Sequence, residues 1–201
     1  MRIAAPLLVV LLTACSATPE PPRHPIASAP TSATAQTAPR DDLAGLSNFA
    51  QVSPVLYRGA QPTAVGFRTL KALGVRTIVN LRSAHSDRET IAGLGLRYVE
   101  LPSQAWNPQS EVVAQVLAIV RDPANAPVFV HCQHGADRTG YTIASYRIVE
   151  QGWDKDSALR ELRRFGFHAV WGAIPSFITE LDAPTMRERV RHTRPPGVAL
   201  P

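Results

Sequence analysis

The chain has 201 residues, 45% of them hydrophobic, an ordinary globular composition with enough length for one domain and a core. Its net charge is +5, drawn mostly from arginine and including a basic run, RERVRHTRPP, near the C-terminus. A membrane surface or an anionic partner could meet that charge, but no aromatic interleaving or nucleic-acid motif accompanies it, so the run reads as a solvated tail and no nucleic-acid partner is expected.

Arg2 opens the chain with a positive charge, and Ile3 to Leu12 is an apolar run too short to span a bilayer. Leu12-Thr13-Ala14-Cys15 then resembles the lipobox of bacterial lipoprotein signal peptides. The resemblance implies removal of residues 1–14 and lipid on the Cys15 sulfur. It also implies an envelope location, at the outer membrane facing the periplasm, because Ser16 rather than Asp follows the cysteine. An ordinary export signal cut near Ala14 or Ala17, with Cys15 incidental, is the alternative. With lipid on Cys15, Cys132 is the only free thiol and has no intramolecular disulfide partner. Residues 15–42 are rich in Ala, Pro, Ser and Thr, cannot bury enough surface to offset ordering entropy, and read as a disordered tether.

The folded domain is expected over 43–184, followed by a basic, flexible tail at 185–201. VLYRGAQP reads as a short extended piece and a turn. Thr63 is a plausible N-cap for a helix with Val65, Phe67, Leu70 and Leu73 on its apolar stripe, ending at Gly74. Val75–Leu81 and Leu96–Leu101 read as strands. Asn107-Pro108 is expected to open a second helix, with Val112, Val113, Val116, Leu117 and Val120 on one face. Val128–Val130 is a buried strand, and a helix follows from Thr139 to Gly152. Two further helices are predicted, Asp156–Phe165 and Pro175–Leu181. This alternation predicts an α/β fold with a mainly parallel sheet, whose ligands bind at the carboxyl ends of the strands. Cys132 lies at one such end.

The loop HCQHGADRTG, His131 to Gly140, carries the chemistry. Five residues between Cys132 and Arg138 allow the amides of Gln133, His134, Gly135, Ala136, Asp137 and Arg138 to form an anion nest that opens into a helix N-terminus. Gly135 supplies a positive φ that a side chain would resist. Arg138 offers a planar fork for two phosphate oxygens. Such positive surroundings favour a thiolate at Cys132. The motif resembles the phosphate loop of cysteine-dependent protein tyrosine and dual-specificity phosphatases. The similarity extends from Val55 to about Leu181, and LYRGAQP…FRTLKALGVRTIVNLR is similar to the atypical dual-specificity and bacterial tyrosine-phosphatase-like branch. The resemblance implies phosphomonoester hydrolysis through a cysteinyl-phosphate. It gives Thr139 the task of assisting thiolate release and His131 that of holding the loop, and it implies no cofactor.

One departure concerns the general acid. The larger relatives take it from an upstream Asp, but the corresponding LPSQAWNPQSEVV has none. Asp137 is the candidate, as in relatives whose loop also reads Asp-Arg-Thr; Glu100 and Glu111 are alternatives, and Asp137 pairing with an arginine elsewhere is the bland reading. Gln133, His134 and Ala136 are expected to line the cleft through their side chains. Arg82 reads as a surface ion-pair former near the same sheet edge, and His168 and Trp171 as core-packing aromatics, with a place at the pocket border as the alternative. The six histidines are scattered, and no metal-ligand cluster is expected. A catalytically weak phosphate-binding module and a rhodanese-like sulfurtransferase are the competing functions. The substrate class, phosphotyrosine or another phosphomonoester, stays open.

Overall fold

The structure is a computed structural model that describes Met1 and residues 37–194 and 196–200. The chain divides into two units, Met1–Ala33 and Thr34–Pro201, and every element below lies in the second. The signal segment, Cys15 and most of the expected tether lie outside the described residues.

Five strands make the sheet: β1 (Ala50–Ser53), β2 (Leu56–Gly59), β3 (Thr77–Asn80), β4 (Arg97–Glu100) and β5 (Val128–His131). Their spatial order is β1-β2-β5-β3-β4, all pairs parallel except β1 with β2. Side chains alternate between two buried faces, as a covered parallel sheet requires. Ile78, Tyr98 and Phe129 pack on Phe67 and Leu70 of α1 (Ala64–Ala72), while Val79, Val99, Val128 and Val130 join the larger core on the other face. The Thr63 hydroxyl caps α1 by accepting from the Gly66 amide at 3.2 Å. Val65 and Leu73 do not belong to its buried stripe, being about 40% exposed or more.

The larger core is built on α3 (Ser110–Arg121), α4 (Arg138–Val149), α5 (Lys155–Arg164) and α6 (Ala173–Glu180). Helix α4 is buried on every side from Thr139 to Val149, so its sequence shows no polar face to read. Helix α3 begins at Ser110 rather than Asn107, because the 107–109 backbone stays non-helical. A one-turn α2 (Arg88–Ile91) was not apparent from the pattern.

Both expected domain edges move outward. Arg40 bridges Phe49, and the Thr37 amide and hydroxyl both donate to Glu161 Oε1, so 37–42 is attached structure rather than tether. At the other end, residues 185–194 and 196–200 are structured rather than a flexible tail. Most of α7 (Ala183–His192) falls within the first of these ranges, capped by Asp182 and with Met186 and Val190 buried. Arg187 donates to the Val149 carbonyl at 2.8 Å, and Ala199 bridges Tyr98. The basic residues of this helix occupy its solvent side and mask the apolar pair at helical spacing.

Candidate active site

Strand register puts Gly59, His131 and Asn80 side by side at the carboxyl ends of β2, β5 and β3. The loop Cys132–Asp137 leaves from the middle of this row and enters α4 at Arg138. Its conformation follows from where its carbonyls go. The Gln133 carbonyl accepts from the Gln61 amide (3.1 Å), the His134 carbonyl from Asn48 Nδ2 (2.9 Å) and the Gly135 carbonyl from Arg58 Nη2 (2.7 Å). Three consecutive carbonyls are therefore bound to the surrounding framework. Among the described residues, none of the amides from Gln133 to Arg138 has an acceptor. Six free N–H groups in a tight loop at a helix N-terminus form a place for an anion.

Gly135 makes that turn possible, with φ at +69° and no room for a Cβ against the backbone of Gly59 and Ala60. Arg58, fully buried, reaches under the loop from β2 and stacks over Phe165 at 3.7 Å. Burial lowers its pKa to about 10, against the pull of Glu161, so it remains a cation at neutral pH. On the other side, His131 stacks against Phe129, has Nδ1 3.4 Å from the Cys132 carbonyl and Nε2 3.2 Å from Asp87 Oδ2. Asp87 also accepts from Gln61 Nε2 (2.6 Å) and Asn80 Nδ2 (3.0 Å), and His85 Nε2 lies 3.2 Å away. Burial works to raise the Asp87 pKa, but the partners His131 and Gln61 outweigh it and hold the carboxyl below its usual range. The same dry surroundings push the neighbouring Tyr98 up to about 12.

Cys132 is buried at the base of the loop, 2% exposed, and is the free cysteine of the described residues. Thr139 is buried with its hydroxyl lacking a hydrogen-bond partner among the described residues. Beside the loop opens a cleft of about 320 Å³, lined by Ser83, Gln104, Gln133, His134, Asp137 and Arg138 and walled by Trp106, His168, Val170 and Trp171; Cys132 and Thr139 are not among its lining residues. The two indoles lie 6.1 Å apart, centroid to centroid.

The remaining expectations divide. Gln133 and His134 line the cleft, but Ala136 does not: it is buried beneath the loop at 2% exposure. Asp137 lines it too, and its partner is not an arginine. Its Oδ1 accepts from the His168 amide at 2.9 Å, and its Oδ2 lies 2.8 Å from His168 Nδ1. His168 is thus a wall of the pocket rather than core packing, whereas Trp171 is both, lining the pocket and packing against the larger core. Glu100 accepts from Ser86 and Glu111 faces Arg189, so neither alternative acid lines the cleft. Arg82 donates to Gln61 Oε1 at 2.9 Å and braces the loop from behind instead of forming a surface ion pair. The expectation of scattered histidines fails at one point: His134, Asp137 and His168 offer ligand atoms that all lie within 4.8 Å of one another. Sequence reasoning assigned no role to Asn48, Gln61 or Asp87. Arg58 sits inside the quoted YRGAQP, where a cation at an alternating, inward strand position was the available signal.

Comparison with known proteins points the same way. The sequence model of a family described as "DSP-PTPase phosphatase fused to NAD+ Kinase" matches residues 38–171. A dual specificity protein phosphatase, TpbA of Pseudomonas aeruginosa (strain UCBPP-PA14), is 41% identical over 124 residues, which cover 60% of this chain. The match spans only 55% of that relative's length. A crystal structure of P. aeruginosa TpbA, a serine-for-cysteine variant in complex with phosphotyrosine, superposes with a TM-score of 0.64 at 30% identity. It covers 77% of this chain and 100% of that one. The catalytic core of the PP-IP phosphatase Siw14 from Saccharomyces cerevisiae, in complex with citrate, gives a TM-score of 0.63 at 26% identity, covering 70% and 88%.

Proposed function

Because the chain belongs to the DSP-PTPase phosphatase family, we propose that it is a cysteine-dependent phosphomonoester hydrolase acting on phosphotyrosine-like aryl phosphates. The observation that carries this reading is the row of unbonded amides from Gln133 to Arg138, held open by Gln61, Asn48 and Arg58. Such a cup binds a tetrahedral dianion, and its fixed donors can follow the equatorial oxygens into a trigonal transition state without reorganising. Arg138 adds two donors in one plane. The Cys132 sulfur attacks phosphorus, forming an S–P bond as the ester P–O bond breaks. Asp137 protonates the departing oxygen, its carboxyl held at the cleft by the His168 amide and ring. Water then cleaves the S–P bond, releasing phosphate, while the Thr139 hydroxyl stabilises the leaving sulfur.

The Trp106 and Trp171 walls suit a flat ring, and phosphotyrosine bound to the P. aeruginosa relative supports that choice. The test is phosphate release from an aryl phosphate and from phosphotyrosine, phosphoserine and inositol diphosphate substrates. Cys132→Ser is expected to abolish turnover and keep phosphotyrosine binding. Turnover that survives this substitution overturns the reading, and binding without turnover in the unaltered chain leaves only a phosphate-binding module. Asp137→Asn should slow alkyl monoesters more than aryl esters with good leaving groups; equal effects would move the acid elsewhere.

The lipobox resemblance at Leu12–Cys15 supports a second part of the proposal, a lipid-anchored enzyme of the bacterial envelope facing the periplasm. Two or more acyl chains on one cysteine anchor stably where one binds marginally. Cys15→Ser should release the protein to the soluble fraction and abolish palmitate labelling; unchanged membrane retention would refute the anchor.

A further inference from the structure

We propose that His134, Asp137 and His168 form a site for a divalent first-row transition ion, zinc above all, and that its occupancy reversibly inhibits the enzyme. Two imidazole nitrogens and one carboxylate oxygen converge within 4.8 Å, from two segments of the chain that meet only through the fold. That donor set selects zinc and its neighbours over calcium or magnesium, which require oxygen ligands.

The backbone of each histidine is fixed, and the His168 ring is held against Asp137 Oδ2, while the His134 ring is not held. Asn48 holds the His134 carbonyl, and Asp137 Oδ1 holds the His168 amide. Both rings reach solvent, with the His168 side chain 49% exposed. The His134 ring makes no hydrogen bond to a described residue and lies 5.5 Å from the His168 ring, centroid to centroid. Around a tetrahedral ion with bonds of about 2.0–2.1 Å, ligand atoms sit roughly 3.4 Å apart. The pair His168 Nδ1 and Asp137 Oδ2, hydrogen-bonded at 2.8 Å, has to open by about half an ångström, and the wider separations, none above 4.8 Å, have to close to that spacing. All three ligand residues line the cleft together with Arg138, which leaves water a path to a bound ion.

The inhibitory consequence rests on the proposed hydrolase reading. A metal-bound Asp137 carboxylate cannot pass a proton to a leaving oxygen, and an ion beside the cup obstructs the substrate. Inhibition is therefore expected to be strongest for esters with poor leaving groups, and to be reversed by a chelator.

The experiment separates binding from turnover. Chelator-treated Cys132→Ser protein, which has no sulfur ligand at the site, is titrated with Co2+ by visible absorption and with Zn2+ by calorimetry. One ion per chain with four-coordinate Co2+ bands is expected. His134→Gln and His168→Gln, both at exposed positions, should each weaken binding by about tenfold or more, since even partners of ligands are worth about 10–100-fold. No binding, or binding unchanged in both histidine variants, overturns the site. In the chain with Cys132, Zn2+ should inhibit and the histidine variants should lose that sensitivity. Inhibition undiminished in them would place the ion on the thiol and overturn the proposal, as would binding without inhibition. A protein that binds the ion yet never turns over substrate would sink the hydrolase reading alone.

Discussion

Gly135→Ala probes the carbonyl-anchored loop most directly. The added methyl carbon would stand 2.5 Å from the Gly59 carbonyl carbon, 2.6 Å from the Ala60 nitrogen and 2.7 Å from the Gly59 oxygen. All three are backbone atoms at the end of β2, which cannot swing aside as a side chain can. The residue also sits at φ +69°, where a side chain costs about 1–2 kcal/mol. Overpacking adds about 1–3 kcal/mol, for a total of roughly 2–5 kcal/mol. Gly74→Ala is the control, because Gly74 has φ +84° but nothing within 4 Å of the new methyl. It should cost the conformational part alone, about 1–2 kcal/mol. Urea unfolding of both variants isolates the steric part. Relief of the clash must lift the loop off β2 and draw the Gly135 carbonyl from Arg58, so inhibition by orthovanadate should weaken by about tenfold or more for Gly135→Ala and stay unchanged for Gly74→Ala. Equal destabilisation by the two substitutions, or intact vanadate affinity in Gly135→Ala, would refute the argument that this contact shapes the cup.

Arg58→Met removes a buried cation and the donor to the Gly135 carbonyl while keeping an apolar stem over Phe165. Relief of desolvation offsets a lost hydrogen bond worth about 1–3 kcal/mol, so unfolding should shift little while vanadate affinity falls clearly. Arg147→Met strands Glu161, which now accepts two Arg147 bonds of 2.7 and 2.9 Å in a buried position, and should cost about 3–5 kcal/mol. Adding Glu161→Leu should recover most of that loss in the same urea assay. Burial works to raise the Glu161 pKa, but Arg147 and Thr37 outweigh it and leave it below the usual value. Its stabilisation is therefore complete above the unfolded value of roughly 4.3 and lost as pH falls through the lower folded one. The acid limb of a stability-against-pH curve should be shallower below about pH 4 in the double variant than in the parent; an identical limb would remove Glu161 from the account.

How much of this was legible in the sequence depends on whether the signal was local. The loop from His131 to Gly140 announces strand, anion nest and helix within ten residues, because phosphate binding there uses backbone geometry that Gly135 and the spacing to Arg138 reveal. The alternation of β3, β4 and β5 with α1 and α3 was likewise visible, each element carrying its own apolar period. What the pattern hid were contacts between distant segments. Nothing around Asp87 or Asn48 marks either as a partner of the loop, since each reaches it only after the sheet has formed. Position 168 is the clearest case. FGFHAVWG reads as aromatic packing until the fold carries His168 to Asp137, thirty-one residues earlier in the chain. The C-terminal basic run misled for a related reason, its charge obscuring the Met186 and Val190 spacing that docks α7.

The buried polar groups follow one logic. The loop has to present its N–H groups to an anion, so its carbonyls must point away and be bound in a place that water does not reach. An apolar framework could not do this, because each outward carbonyl would be left without a donor at a cost of about 1–3 kcal/mol. Cations and amides must therefore be buried beneath the loop, and they bring costs of their own. Arg58 is balanced through space by Glu161, which in turn is held by Arg147 and reaches Thr37 at the start of the described domain. Asp87 performs the corresponding task for His131 and Gln61. Such pairs add little net stability compared with well-packed apolar residues. Their return is conformational, a loop fixed in the one arrangement whose free donors face the cleft. On this reasoning, substitutions in the Arg58–Glu161 and Asp87–His131 networks should separate function from folding, degrading anion affinity at positions that never touch the anion.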